Sequence, residues 1–254
     1  MSGGNLRFDS AGRTDVGKVR ALNEDRYVDR PLIALWAVAD GMGGHQAGEV
    51  ASGMLADALE AIGPPDSGYA YLDGVQDAVE RVNRALVAHA AISTPGSVIG
   101  STIVVLIAYA GHYACLWAGD SRVYLLRDKR LEQITRDHSM VQELLDSGAL
   151  ARRDVKNFGK SNIITRAVGV NDRLALDLHQ GPILDGDVFL LCSDGLTNFV
   201  DDAEIAAELR RPARDAAEAL IALTLSRAAK DNVTVVVVRA FADADSTLDP
   251  LRSR

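Results

Sequence analysis

Five aspartates, Asp25, Asp40, Asp120, Asp194 and Asp231, stand at the ends of short apolar runs or beside Gly and Asn. Their contexts are AVAD-G, WAGD-S, LLCSD-G, AAKD-N and the more polar LNED. Each falls where a hydrophobic strand stops and the backbone turns. Carboxylates brought to one place by distant strand ends repel one another, and the simplest remedy is one or more hard divalent cations. Ligation by oxygen alone favours Mg²⁺ or Mn²⁺ over zinc.

Other chemistries fail on spacing. DGMGGH, Asp40 to His45, follows a strand and precedes a helix, but the third residue after Gly43 is Gln46, and no Lys-Ser/Thr pair follows. Neither dinucleotide nor P-loop spacing is met, and an acid at the turn would repel a pyrophosphate unless a cation intervened. LLCSDG has Leu191 where a nucleophile elbow around Ser193 needs glycine. A thiol phosphatase needs Arg six residues after its cysteine; Cys192 finds Asn198 and Cys115 finds Ser121. Both thiols read as core. GDSR (Gly119–Arg122) and KDNV (Lys230–Val233), taken singly, need be no more than a hairpin turn and a loop. The five histidines lack zinc spacing. His45 is close enough to Asp40 for its imidazole to protonate a leaving group, whereas His89, His112, His138 and His179 read as surface or structural. Arg20, just before Asn23-Glu24-Asp25, suits a bidentate phosphate clamp.

The 254 residues suffice for one domain with a substantial core, and 48% hydrophobic with 24% charged residues reads as globular. A formal charge of -8 argues against a nucleic-acid partner. No apolar run approaches the length of a membrane span, and no secretory segment opens the chain. Two cysteines inside apolar runs fit reduced thiols, so the expected location is the cytoplasm.

The elements that would hold these residues follow from periodicity. Residues 1–12 read as a loose lead-in. Leu32–Ala39 reads as a strand, then a helix through Val50, Leu55, Leu59 and Ile62 to Gly63, and another from Asp73 to about Ala91. TIVVLIAY, HYACLWAG and RVYLLRD read as an antiparallel meander. A short helix over 139–151 and a charged irregular insert over 152–162 precede two more strands, VFLLCS and VTVVVVRA. Helices near 202–210 and 213–228 lie between those strands, and the tail after Ala242 reads as frayed. This order predicts an α+β sandwich with helices on both outer faces.

TDVGKVRALNEDR, DGMGGH, GST (Gly100–Thr102), GDSR, TRDHS, ITRAVG, CSDG and DN occur in this order. Together they resemble the type-2C, metal-dependent serine/threonine protein phosphatases of the bacterial stand-alone kind, from about Thr14 to Arg239. The resemblance implies a four-layer α-β-β-α sandwich, two central mainly antiparallel sheets and a small flap, over a single catalytic domain of about 14–240. It also implies two Mn²⁺ or Mg²⁺ ions and a weaker third. Asp40 would bridge the ions, Asp194 and Asp231 would hold the first, and Glu24 with the Gly41 carbonyl the second. Asp120 with Asp194 would take the third. Asp25 would orient the attacking water that bridges the metals, with Asn232 beside it behind the ligands. Arg20 would bind phosphate and His45 would act as general acid. Residues 139–163 would form the flap. The implied partners are phosphoprotein substrates and an opposing Ser/Thr kinase with its targets, for a monomeric enzyme. A phosphatase for a dedicated regulator would usually carry a sensor domain, for which the chain has no room. A catalytically dead binding module would lack ligand carboxylates, and every expected one is present.

Overall fold

The computed structural model describes residues 6–43, 47–93, 99–157 and 163–242. Among these, eleven strands form two antiparallel sheets. The first sheet contains β1 (Leu6–Asp15), β7 (Arg122–Arg127), β8 (Arg130–Gln133), β10 (Val188–Cys192) and β11 (Val233–Ala242), in the order β1-β11-β10-β7-β8. The second contains β2 (Asp25–Arg30), β3 (Leu35–Met42), β5 (Ile103–Tyr109), β6 (His112–Ala118) and β9 (Asp177–Pro182), in the order β2-β3-β5-β6-β9, with β4 (Gly100–Ser101) paired to β3.

Strand periodicity explains why the layers stack. Trp36, Val38, Val104, Leu106, Cys115 and Trp117 face between the sheets, where they meet Val123, Leu125, Phe189, Leu191, Val236 and Val238. The alternate residues Leu35, Ala37, Ala39, Ile103, Val105 and Ile107 pack outward with Leu55, Leu59, Val75, Val79 and Leu86 of α1 (Ala47–Glu60) and α2 (Gly68–Ser93). On the other side, Leu190, Cys192, Val235 and Val237 cluster with Ile205 of α5 (Asp202–Glu208) and with Ala216, Ala217 and Leu220 of α6 (Ala213–Ser226). Strands buried on both faces therefore read as unbroken apolar runs. The expected four-layer α-β-β-α sandwich is the fold found.

Several element boundaries differ from the sequence reading. The supposed loose lead-in contains β1, paired along its whole length with β11 from Leu6↔Ala242 to Asp15↔Val233. As an edge strand it carries polar residues on its open side, which masks its strand character. β2 was hidden in the same way. The strand expected from Leu32 begins at Leu35, because Pro31–Ala34 turns first, with Ala34 at φ 54° and Leu32 fully exposed. Val50, expected on the buried face of α1, is exposed; Gly48, Ala51, Ser52, Leu55 and Leu59 are the buried positions.

The largest correction concerns the meander. β5 and β6 do form a hairpin, but β7 pairs with β10 and β8 in the other sheet. Gly119-Asp120 is therefore a crossing between sheets, not a hairpin turn. Two strands buried on both faces look the same in sequence whether or not they are neighbours. The tail after Ala242 lies outside the described residues.

Candidate metal centre

One end of the two sheets gathers the predicted residues. The loop from β1 to β2 carries Arg20 and Glu24, and Asp25 opens β2. Asp40, Gly41 and Met42 end β3, and Asp120 lies in the sheet-to-sheet crossing. Asp194 opens the short helix α4 (Asp194–Thr197) after β10, and Asp231 and Asn232 precede β11. Arg20, Glu24, Asp40, Gly41, Met42, Gly43, Asp120, Ile164, Asp194, Asp231 and Asn232 line one cavity of about 350 Å³. His45, the expected general acid, lies outside the described residues.

Backbone pairing sets the closest carboxylates. Asp25 and Asp40 are direct partners in the β2–β3 ladder, so their side chains share a sheet face. Asp40 is bracketed by hydroxyls: its N–H donates to Thr102 Oγ1 at 3.1 Å, and Ser101 Oγ donates to its carbonyl at 3.0 Å. Thr102 Oγ1 in turn lies 2.7 Å from Ser121 Oγ, which ties β3 to the Asp120 crossing. Gly41 is required by contact rather than dihedral freedom. A Cβ there would sit 2.1 Å from the Gly48 carbonyl oxygen, so α1 approaches the strand only against glycine.

Asn232 connects the segments. Its Oδ1 accepts from the Glu24 N–H at 2.8 Å, and its Nδ2 donates to the Val16 and Leu22 carbonyls, each at 2.9 Å. Ser193 ties two strands together in a similar way. Its Oγ donates to Asp25 Oδ2 at 2.7 Å and accepts from Thr234 N–H at 3.0 Å. It supports a carboxylate and is no nucleophile. Burial also pushes the Cys115 and Cys192 thiols up, so neither thiolate forms readily.

Charge in the cavity is lopsided. Burial pushes Asp25 and Asp120 up to about 7, with Asp194 adding repulsion at both. Asp40 is driven well above the usual carboxylate range, first by burial and then by Asp25, Asp194, Asp120 and Asp231. Asp40 retains partial solvent exposure because it faces the cavity, yet protein surrounds it on its other sides. Burial and Asp231 raise Asp194 likewise, although Asn198 Nδ2 donates to it at 3.1 Å. The opposing cation in the cavity wall is Arg20, whose Nη2 donates to Asp231 Oδ2 at 2.8 Å.

Do these residues fit a hard divalent cation? Asp25 Oδ1 and Asp120 Oδ1 are buried and hydrogen-bond to nothing. A buried carboxylate oxygen without a donor is costly unless a cation lies against it. The donors lining the cavity are oxygens, the set that Mg²⁺ and Mn²⁺ take. Among the described residues no three acidic, His or Cys side chains close on one point as a finished cage. The cavity therefore holds the ligand set spread around its walls, with Arg20 drawn onto one member. The donor chemistry fits.

Sequence reasoning missed the hydroxyl supports Thr102, Ser121, Ser193 and Thr234 as individual residues, although three of them lie within the GST, GDSR and CSDG motifs. For Ser121 and Ser193, adjacency to a motif aspartate was the available signal.

The model of the protein phosphatase 2C family matches residues 15–144. The serine/threonine phosphatase stp of Listeria innocua is 36% identical over 235 residues, covering 89% of this chain and 93% of its own. Among solved structures, PppA of Pseudomonas aeruginosa, described as a key regulatory component of T6SS, superposes with a TM-score of 0.87 at 42% identity. That match covers 93% of this chain and all (100%) of PppA. The catalytic domain of the phosphatase PstP, in complex with two manganese ions, gives 0.84 at 36% identity, covering 93% and 100% of the two chains.

Proposed function

Because the chain belongs to the protein phosphatase 2C family, we propose that its carboxylate-lined cavity hydrolyses phosphoserine and phosphothreonine monoesters on proteins with two divalent cations, Mn²⁺ or Mg²⁺. The observation that carries this reading is the convergence of acids from five separate chain segments on one cavity with Arg20 in its wall.

Asp40 would serve both ions, with Asp194 and Asp231 holding one and Glu24 with the Gly41 carbonyl the other; Asp120 with Asp194 would hold a weaker third. When bound, the cations acidify water and offset charge on the phosphoryl group in flight. The protein's own residues do the rest. Arg20 presents its guanidinium to the phosphate oxygens and so orients the ester. Asp25, held by Ser193, orients the attacking water from behind the ligands. Asn232 fixes Glu24 through the backbone. His45 protonates the departing seryl or threonyl oxygen, a poor leaving group, for about 10²–10⁴-fold. The segment 139–163 acts as a flap beside the cavity.

The substrates are phosphoproteins, and the partner is a Ser/Thr kinase whose products the enzyme reverses. We place this activity in the cytoplasm and in a monomer. Cys115 and Cys192, free and buried, suit a reducing compartment. No helix among the described residues is long and apolar enough to cross a membrane.

With Mn²⁺ the protein should turn over p-nitrophenyl phosphate and a phosphothreonine peptide, and EDTA should abolish both. Turnover that persists without metal would sink the reading.

A further inference from the structure

The stretch Lys18–Leu22 between β1 and β2 is exposed throughout, and Arg20 at its centre lines the metal cavity. Two of its members are aliphatic: Val19 is 68% and Leu22 45% exposed. The loop that carries them is not slack. Asn232 Nδ2 holds it at the Val16 and Leu22 carbonyls, and the Lys18 N–H donates to the Ala229 carbonyl at 2.9 Å. The Gly17 N–H donates to Asp15 Oδ1 at 2.8 Å. Gly17 itself sits at φ 77°, and a Cβ on it would lie 2.2 Å from the Asp231 carbonyl oxygen, so the loop rests directly on the segment of a candidate ligand. Pinned in this way, it presents its aliphatic side chains ready-made, with little ordering left to do on binding.

A single exposed aliphatic residue means little, but these two flank the phosphate-facing cation in sequence. A second apolar group lies on the cavity wall. Met42 lines the cavity, and a Cβ on Gly100 would be 3.3 Å from both Met42 Cε and Val170 Cγ2, so these side chains are neighbours, with Val170 41% exposed. Ile164, which bridges Ser139 at the N-cap of α3 (Met140–Asp146), continues the lining. A phosphoseryl or phosphothreonyl ester reaches Arg20 only with its own backbone lying across this rim. An extended chain advances about 3.3 Å per residue, so the side chains close to the phosphorylated one pass over Val19 and Leu22. Polar side chains gain nothing from that contact, whereas aliphatic ones remove apolar surface from water on both partners.

We propose that Val19 and Leu22 are specificity-determining residues that select phosphoproteins with an aliphatic side chain within about three residues of the phosphorylated serine or threonine. The proposal deepens the phosphatase reading of the cavity and rests on it.

The test measures kcat/KM of the full chain with Mn²⁺ on phosphothreonine peptides that differ only in carrying Leu or Ser beside the phosphothreonine, on its N-terminal side in one pair and its C-terminal side in another. The control is p-nitrophenyl phosphate, which has no flanking residues. Wild type should prefer the Leu peptide on at least one side by about fivefold to tenfold, the effect of covering roughly half of a leucine side chain. The double variant Val19→Ser with Leu22→Ser should bring that ratio close to unity and leave turnover of p-nitrophenyl phosphate unchanged. Each single variant should lose part of the preference, and the pair of singles decides the matter should the double variant fail to fold. Equal kcat/KM for Leu and Ser peptides on both sides in wild type would overturn the proposal, as would a preference that survives substitution. Peptide and p-nitrophenyl phosphate turnover falling together at an unchanged ratio would show a merely structural role and overturn it too. Wild-type hydrolysis of p-nitrophenyl phosphate without a peptide preference sinks this proposal alone, whereas hydrolysis of neither substrate removes the phosphatase reading and the proposal with it.

Discussion

Asn232→Asp isolates the contribution of one buried amide to the phosphate-facing loop. The substitution preserves size and the Oδ1 acceptor for Glu24 N–H, but removes both donors to the Val16 and Leu22 carbonyls. An oxygen then faces two carbonyl oxygens at a residue that is 5% exposed, and a further negative charge joins a cavity already rich in carboxylates. Each buried acceptor left unsatisfied costs about 1–3 kcal/mol, so the two should total about 2–6 kcal/mol. At this chain length 1 kcal/mol moves Tm by about 2–4 °C, which gives a fall of about 4–24 °C. The assay is thermal unfolding in EDTA, where no bound cation adds stability. Because the loop between β1 and β2 loses its anchor, trypsin should also cut faster after Lys18 and Arg20. A Tm within about 2 °C of wild type, with unchanged cleavage, would refute the idea that Asn232 holds this loop.

Three further outcomes can be checked in parallel. Arg20→Ala should raise KM for a phosphothreonine peptide about tenfold or more, with kcat changed far less, since a charge-assisted hydrogen bond to phosphate contributes about 1.5–3 kcal/mol; an unaltered KM excludes the clamp. Asp194→Asn should lower Mn²⁺ affinity and kcat by at least the ~10–100-fold typical of losing even an outer partner of a ligand, and near-normal titration and turnover would take Asp194 out of the ligand set. Asp25 in the folded protein titrates at about 7, above its unfolded value of about 3.9. Its contribution to stability is thus greatest below the unfolded value and lost as pH rises towards 7. In EDTA the Tm advantage of Asp25→Asn over wild type should therefore grow between pH 5 and pH 7.5; an advantage that shrinks over that window contradicts the burial argument.

The candidate ligands were legible because a metal-binding acid must sit where a strand releases the chain, and AVAD-G, WAGD-S and CSD-G all mark such points. The sandwich was legible because strands buried on both faces give unbroken apolar runs such as IVVLIA and VTVVVV. The edge elements were not. β1, β2, β8 and β9 carry polar residues on open sides, and for β1 and β9 the partner is also distant in sequence, as in Leu6↔Ala242. The passage of β6 and β7 into different sheets was equally hidden. GDSR reads as a turn either way, and only the competing pairs β7–β10 and β6–β9 decide between them.

By itself the sequence determined the chemistry available: oxygen ligands without zinc spacing, a basic residue for phosphate, and no competent Cys or Ser nucleophile. Those properties belong to residue types and short spacings, which survive without coordinates. The tertiary structure alone decided which groups meet. It set Asp25 opposite Asp40, left Oδ1 of Asp25 and Asp120 buried without a donor, and made Asn232 and Ser193 the ties between segments that the chain keeps far apart. Burial and distance between remote segments are products of packing, and they turn a set of carboxylates into a site that needs a cation.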